Sequence, residues 1–301
     1  MTIKKLTAAL AATAVGLTLA ACGGDPTEGK KAATDTIVIG SAEFPENAII
    51  AEIYAQALEA KGVKVKKKLN IGAREAYIKA LENGEIDLVP EYSGNLLSYY
   101  DPKTTATSPE QIDDALDDAL PETLEVLDAS KAEDKDSLNV TPELAAKEGL
   151  TTIADLKKID GLKLGANPEF KTRAYGIPGL EKVYGITDIS FTPISDGGGP
   201  ATLKALLGGK VDVADIYSTT PSILANKLVT LQDPENLIAS QNVLPLITKK
   251  KASDKVEEVL DEISATLTTE DLLDLNAKNQ GDDKTAPDVL AKQWLTDKGL
   301  I

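Results

Sequence analysis

After residue 35 the chain alternates short β-branched runs with stretches of helical period, and no other feature constrains its fold as strongly. TIVIG (36–40) reads as a strand, and PENAIIAEIYAQALEAKG (45–62) as a helix opened by Pro45 and closed by Gly62. VKVKKKL (63–69) alternates like an edge strand, REAYIKALENG (74–84) is helical, and IDLVP (86–90) is a short buried strand. SPEQIDDALDDALPETLEVL (108–127) reads as an acidic helical stretch interrupted by Pro121. The pattern resumes with strand LKLGA (162–166) and helix PEFKTRAYGIPGLEKVYG (168–185), broken near Gly176 and Pro178. Strand ISFTPI (189–194), helix GPATLKALLGG (199–209), strand VDVADIY (211–217) and helix TTPSILANK (219–227) follow. From residue 254 onward the spacing of Val256, Val259, Leu260, Ile263 and Leu267 predicts helices that pack against the rest of the chain. Strand, helix, strand in this order predicts an α/β fold with parallel pairing and right-handed crossovers, arranged as two small units with a cleft between them.

The N-terminus has a different composition. Lys4 and Lys5 precede a run of small apolar residues (6–21), the layout of a secretory signal, and at about fifteen residues it is short for a membrane span. Leu19-Ala20-Ala21-Cys22 resembles the bacterial lipobox, in which the cysteine sulfur takes a diacylglycerol and the chain is cut before it. The expectation is a signal peptide over 1–21, lipidation at Cys22, a flexible polar tether over 22–35, and attachment to the extracytoplasmic face of the cell membrane. The alternative is an N-terminal core helix, but such a helix has a polar face and this segment has none.

Residue content removes several function classes. Cys22 is the only cysteine, so no intramolecular disulfide can form and the fold must stand on its core. No histidine is present, which excludes Ser-His-Asp and Cys-His catalysis and histidine-ligated metals. No EF-hand loop occurs, and neither a metal nor a cofactor is expected. Removing Lys4 and Lys5 with the signal takes the formal charge from −16 to −18, and a chain so acidic repels nucleic acid.

Open α/β sheets bind ligands beyond the carboxyl ends of their strands. That directs attention to SAEFPEN (41–47), EYSGN (91–95), NPEFKTR (167–173), SDGGGPAT (195–202) and YSTTP (217–221). The triple glycine 197–199 lacks the Gly-Lys-Ser/Thr of a phosphate loop and is read as allowing close backbone approach in the cleft or a tight turn before a helix.

These loops carry a resemblance. GEIDLVPEYSGNLL is similar to the GEIDLYPEYTGT signature of the solute-binding proteins of ABC importers for glycine betaine, choline and related osmoprotectants. PEFKTRAYGIPGLEKVYG resembles that family's PEF–R–G-PGL–YG pattern, and TLKALLGGKVDVADIYSTTP and QNVLPLITKK follow in the family's order. The resemblance implies a periplasmic-binding-protein-like (type II) Venus-flytrap with a ligand cleft between two lobes. The first lobe would take 36–137 and 243–301, the second 138–242. It further implies a non-catalytic receptor that hands a small solute to an ABC permease and its ATPase.

The family holds quaternary ammonium groups against aromatic faces and carboxylates against arginine or lysine. By resemblance Tyr92 and Tyr217 are cage tyrosines and Arg173 the carboxylate clamp. A loop lysine of the family is replaced by Ala42, beside Glu43. Where a third cage tyrosine is expected stands Asp134-Lys135-Asp136, and where a fourth is expected stands Gln241-Asn242. The acidic replacements retain attraction for a choline-like cation. Asp136, Gln241, Asn242 and Asn95 would also suit a bulkier polar or aromatic solute, of ergothioneine or polyphenol type. Thr219, in the YSTTP loop, completes the candidate ligand residues.

Three plainer readings stand beside these: Tyr92 and Tyr217 as core packing, Arg173 paired with Glu169 across a helical turn, and Asp134/Asp136 in a solvated charge run. Two other functions remain open. A hydrolase would have to rely on a carboxylate pair such as Asp134/Asp136 or Glu43/Glu91, and a surface scaffold would keep the lobes without a ligand.

Overall fold

A computed structural model describes residues 36–301. The expected signal peptide, Cys22 and tether lie outside the described residues. The strands are β1 (Thr36–Gly40), β2 (Lys64–Lys68), β3 (Leu88–Tyr92), β4 (Leu124–Val126), β5 (Leu138–Val140), β6 (Leu162–Ala166), β7 (Ile189–Pro193), β8 (Val213–Asp215), β9 (Val229–Thr230) and β10 (Val243–Thr248). The helices are α1 (Pro45–Ala60), α2 (Arg74–Glu82), α3 (Ser93–Tyr100), α4 (Pro109–Ala119), α5 (Pro142–Glu148), α6 (Ile177–Tyr184), α7 (Pro200–Leu207), α8 (Ser222–Ala225), α9 (Asp254–Thr266), α10 (Thr269–Gln280) and α11 (Pro287–Asp297).

Two five-stranded sheets organise these elements, one in each lobe. The first has the order β2-β1-β3-β10-β4 and the second β7-β6-β8-β5-β9. In the first sheet β1 pairs in parallel with β2 and β3, as the strand–helix–strand order predicts. The strand β10, however, runs antiparallel between β3 and β4. Likewise β6 is parallel to β7 and β8, whereas β5 is antiparallel to β8 and β9. Both antiparallel strands are entered from segments that pass between the sheets, 127–137 and 231–242, and so arrive from the opposite end. The two segments lie side by side, with an antiparallel bridge between Glu133 and Asn242.

The lysine-rich β2 is an edge strand with its lysines in solvent, an arrangement that discourages edge-to-edge pairing. The helix α1 has almost no polar face because it is covered on every side. Ile49, Ile50, Ile53 and Tyr54 are fully buried against Val259, Leu260 and Ile263 of α9, Leu272 of α10, and Leu290 and Trp294 of α11. Each such side chain contributes roughly 1.5–3 kcal/mol on burial. The C-terminal helices therefore complete the core of the first lobe. The second lobe has its own core, built on Leu138, Val140, Leu162, Leu164, Phe170 and Leu180.

Several boundaries differ from the sequence reading. The helix expected over 108–127 ends with α4 at Ala119, before Pro121, and residues 124–126 form the short strand β4 instead. Hydrogen bonds to β10 stabilise that strand more than local helical period could. The segment 168–185 is a one-turn 3-10 helix (168–171), an irregular stretch and then α6, rather than one interrupted helix. At Gly198 (φ +75°) a Cβ would lie 2.7 Å from Ile216 Cα, so the triple-glycine loop does lie close against the β8 end.

Candidate functional site

The carboxyl ends of β1, β3, β6 and β8 face a partly open cleft between the sheets. Seven of the ten ligand residues expected from sequence line it: Glu43, Tyr92, Asn95, Asp134, Asp136, Arg173 and Tyr217. Thr219 is buried at an adjoining cavity that shares Phe44, Asp134, Gly197 and Tyr217 with the first. Gln241 lies behind the cleft, where its side chain accepts from Asn95 N (2.9 Å) and donates to Asn95 Oδ1 (2.9 Å). Asn242 faces a separate acidic groove beside α4 and α9 and does not reach the cleft.

The aromatic wall has a member that the sequence reading passed over. Phe44, the residue before α1, stands between the two expected tyrosines. Its ring centroid lies 5.8 Å from that of Tyr92 and 5.2 Å from that of Tyr217, edge-on to the latter. Such tilted and T-shaped contacts are the favoured ones for aromatic quadrupoles. Tyr92 ends β3, and its hydroxyl donates to Glu46 Oε1 (2.8 Å). The Tyr217 hydroxyl accepts from Asn167 Nδ2 (3.0 Å), and Asn167 Oδ1 accepts from Gly197 N. The glycine loop thus fixes the ring of Tyr217 indirectly. Burial pushes both tyrosines far above the usual phenol range, helped by Glu46 at Tyr92 and by Asp136 at Tyr217, so both stay neutral.

Charge is distributed unevenly around this wall. Both arginines already have acidic partners. Arg74, at the start of α2, grips Glu91 through Nε (2.8 Å) and Nη2 (2.9 Å), and both residues are buried. Glu91 also accepts from the Tyr77 hydroxyl and from Tyr92 N. With four donors on its carboxylate Glu91 is not free to act as a base, which removes the Glu43/Glu91 pair as a catalytic arrangement. Arg173 does not pair with Glu169. It reaches across the cleft to Glu75 of α2 (Nη2 to Oε1, 3.3 Å) and donates to the Tyr175 hydroxyl (2.9 Å), with its guanidinium 5.9 Å from that ring's centre.

Four carboxylates line the cleft, namely Glu43, Asp134, Asp136 and Glu169. Asp136 accepts from Asn95 Nδ2 (2.8 Å). Asp134 accepts from Thr219 N (3.0 Å) and from the Ser218 hydroxyl (3.2 Å), so 127–137 is held to the β8 loop. Burial, and then the neighbouring Glu46, raise Asp134 well above the ordinary carboxyl range. Asp215, buried behind Asp136, is raised by burial and by that neighbour's charge. Neither aspartate lies in a solvated charge run. Together the aromatic rings and acidic groups make a surface suited to a cation that cannot donate hydrogen bonds.

Comparison with known proteins agrees with the geometry. The family described as the substrate binding domain of ABC-type glycine betaine transport systems matches residues 35–297, and this chain belongs to it. Members of that family deliver small solutes to an ABC permease. Among characterised relatives, the glycine betaine-binding protein YehZ of Escherichia coli K12 is 27% identical over 281 residues, covering 89% of this chain and 92% of the relative. A glycine-betaine-binding protein of Pseudomonas aeruginosa PAO1 is 26% identical, covering 89% and 91%. The fold matches a glycine betaine/carnitine/choline ABC transporter structure with a TM-score of 0.67 at 22% identity, covering 88% of this chain and 99% of that one. It matches a choline binding protein in complex with choline with the same TM-score at 17% identity, covering 88% and 89%.

Proposed function

We propose that this chain is a receptor for a compact quaternary amine of the choline and glycine betaine class. It captures the solute by closure of two lobes, 36–137 with 243–301 and 138–242, and performs no chemistry on it. The observation that carries the reading is the Phe44–Tyr92–Tyr217 wall facing Asp134 and Asp136 across one cleft. Rings supply quadrupole attraction to the trimethylammonium group, and Asp136 adds charge attraction in a partly dry site. Choline is favoured over glycine betaine, because Arg74 is committed to buried Glu91, Arg173 is shared with Glu75, and a ligand carboxylate would meet the acidic lining.

The polar side chains point to the same choice. The polar groups that favour a bulkier solute are engaged elsewhere: Gln241 with Asn95, and Asn242 in another groove. We further propose that residues 1–21 are removed, that a diacylglycerol on Cys22 holds the chain to the extracytoplasmic face of the cell membrane through the 22–35 tether, and that a permease with its ATPase receives the solute. Among the described residues no helix is long and apolar enough to cross a membrane.

Calorimetric titration of the chain with choline, glycine betaine, carnitine and ergothioneine tests this. Micromolar choline binding, weaker for betaine, is the expected result. Tight ergothioneine binding with none by choline would overturn the reading.

A further inference from the structure

Glu46 does not line the aromatic cleft, yet it touches three segments that do or that close it. An acidic residue in the first turn of a helix ordinarily faces water as a partner of the helix dipole. Here the side chain is only 3% exposed. Its Oε1 accepts from the Tyr92 hydroxyl (2.8 Å). Its Oε2 accepts from the Thr219 hydroxyl and from Asn276 Nδ2, both at 2.6 Å. Tyr92 and Asn276, on β3 and α10, belong to the first lobe, whereas Thr219 lies in the loop after β8, in the second. The same loop is tied by Thr219 N to Asp134 on 127–137.

This places one buried carboxylate at the junction of a ligand-facing ring and the opposite lobe. The bond from the Tyr92 hydroxyl to Glu46 holds the outer end of the ring and so fixes where the ring sits beside Phe44. The position of Glu46 depends in turn on donors from both lobes. If the lobes part, Thr219 withdraws and the carboxylate, left with Tyr92, Asn276 and the neighbouring Asp134, loses a donor in a dry environment, where each lost hydrogen bond is costly.

We propose that Glu46 is a positioning residue, a latch that holds the Tyr92 ring in its ligand-facing orientation only while Thr219 of the second lobe is engaged. Lobe closure and completion of the aromatic wall are thereby one event. The proposal rests on the quaternary-amine reading for its effect on affinity, but its structural half does not.

The test uses the full chain and the variants Tyr92→Phe, Thr219→Val, Glu46→Gln and the Glu46→Gln/Thr219→Val double variant. Tyr92→Phe retains the ring face, so a cage acting through its faces alone predicts unchanged choline affinity. The latch instead predicts weakening of about tenfold for Tyr92→Phe and for Thr219→Val, the scale of one buried hydrogen bond to a charged group. Because both partners act through one contact, the double variant should bind no more weakly than Glu46→Gln alone. Wild-type affinity in Tyr92→Phe and Thr219→Val, or fully additive losses, overturns the proposal. Hydrogen exchange without ligand supplies an independent readout: peptides covering 217–221 should exchange faster in Thr219→Val and Glu46→Gln. If the wild-type chain binds neither amine, the ligand reading fails and exchange decides alone. Accelerated exchange then supports the latch and unchanged exchange overturns it.

Discussion

Phe44 changes the chemistry expected of the cleft. In the proposed site a cage of only Tyr92 and Tyr217 would hold a quaternary ammonium weakly. Phe44 fills the space between them and restores a continuous wall. Phe44→Ala should therefore weaken choline binding about tenfold, from a desolvated cation–π contact of ~1–2 kcal/mol, while Phe44→Tyr should retain most of the affinity. Calorimetry on the two variants checks this. Arg74 and Glu91 bear on the fold instead. Glu91→Gln leaves a buried guanidinium without its counter-charge, which costs about 3–5 kcal/mol. A fall in melting temperature on the order of 10 °C is expected by calorimetric scan, with partial recovery in Arg74→Met/Glu91→Gln. Neither Phe44 nor this pair was legible in sequence. Phe44 sat inside a flagged loop with nothing local to mark it, and Arg74 meets Glu91 only once α2 lies beside the end of β3. Tyr92, Tyr217 and Arg173 could be placed at the cleft because the chain keeps family motifs around them. The partners of Arg173, Glu75 and Tyr175, could not, since one lies across the cleft.

At the level of elements, long periodic segments were readable and three-residue strands were not. The largely apolar run of α1 between Pro45 and Gly62 and the period of α9 report burial over several turns, so these helices can be read from the chain locally. Strands β4 and β5 have three residues each and acquire their identity from β10 and β8, remote in sequence. The acidic helical pattern running through Pro121 concealed β4. The glycine loop before α7 was correctly read as a place of close approach, and it carries a consequence. Gly197 N is bonded to Asn167, which positions the hydroxyl of Tyr217. In Gly198→Ala a methyl group would press on Ile216 Cα at a φ that alanine disfavours, displacing this loop. Choline affinity should fall severalfold or more while the first-lobe core is unaffected. Hydrogen exchange checks this: α1 should stay as protected as in the wild type while 211–221 loosens.

For the whole molecule the consequence is a dependence on pH set by where the two lobes meet. Glu46, Asp134 and Asp215 all lie near the cleft, and burial raises each above its ordinary carboxyl range, with Asp134 reinforced by Glu46 and Asp215 by Asp136. A carboxyl whose folded value is raised binds its proton more tightly in the folded chain than in the unfolded one. Its contribution is thus fully present below the unfolded value and is lost as pH rises through the folded one. Other carboxylates act in the opposite sense. Asp271, held by Lys298 and Thr268, is lowered despite its partial burial, and its contribution is lost on acidification. Raw stability against pH therefore sums opposing slopes, and a difference measurement isolates the cleft. Asp134→Asn cannot ionise, so it escapes the penalty that wild type meets as pH climbs. The melting temperature of Asp134→Asn minus that of wild type should grow more positive from pH 4 to pH 8, because the wild type alone must ionise a desolvated carboxyl beside Glu46. A difference that stays flat across that range would mean that Asp134 keeps an ordinary carboxyl titration. Asp134 would then be ionised at neutral pH, and it would add its own charge to the attraction of the cleft for a cationic solute.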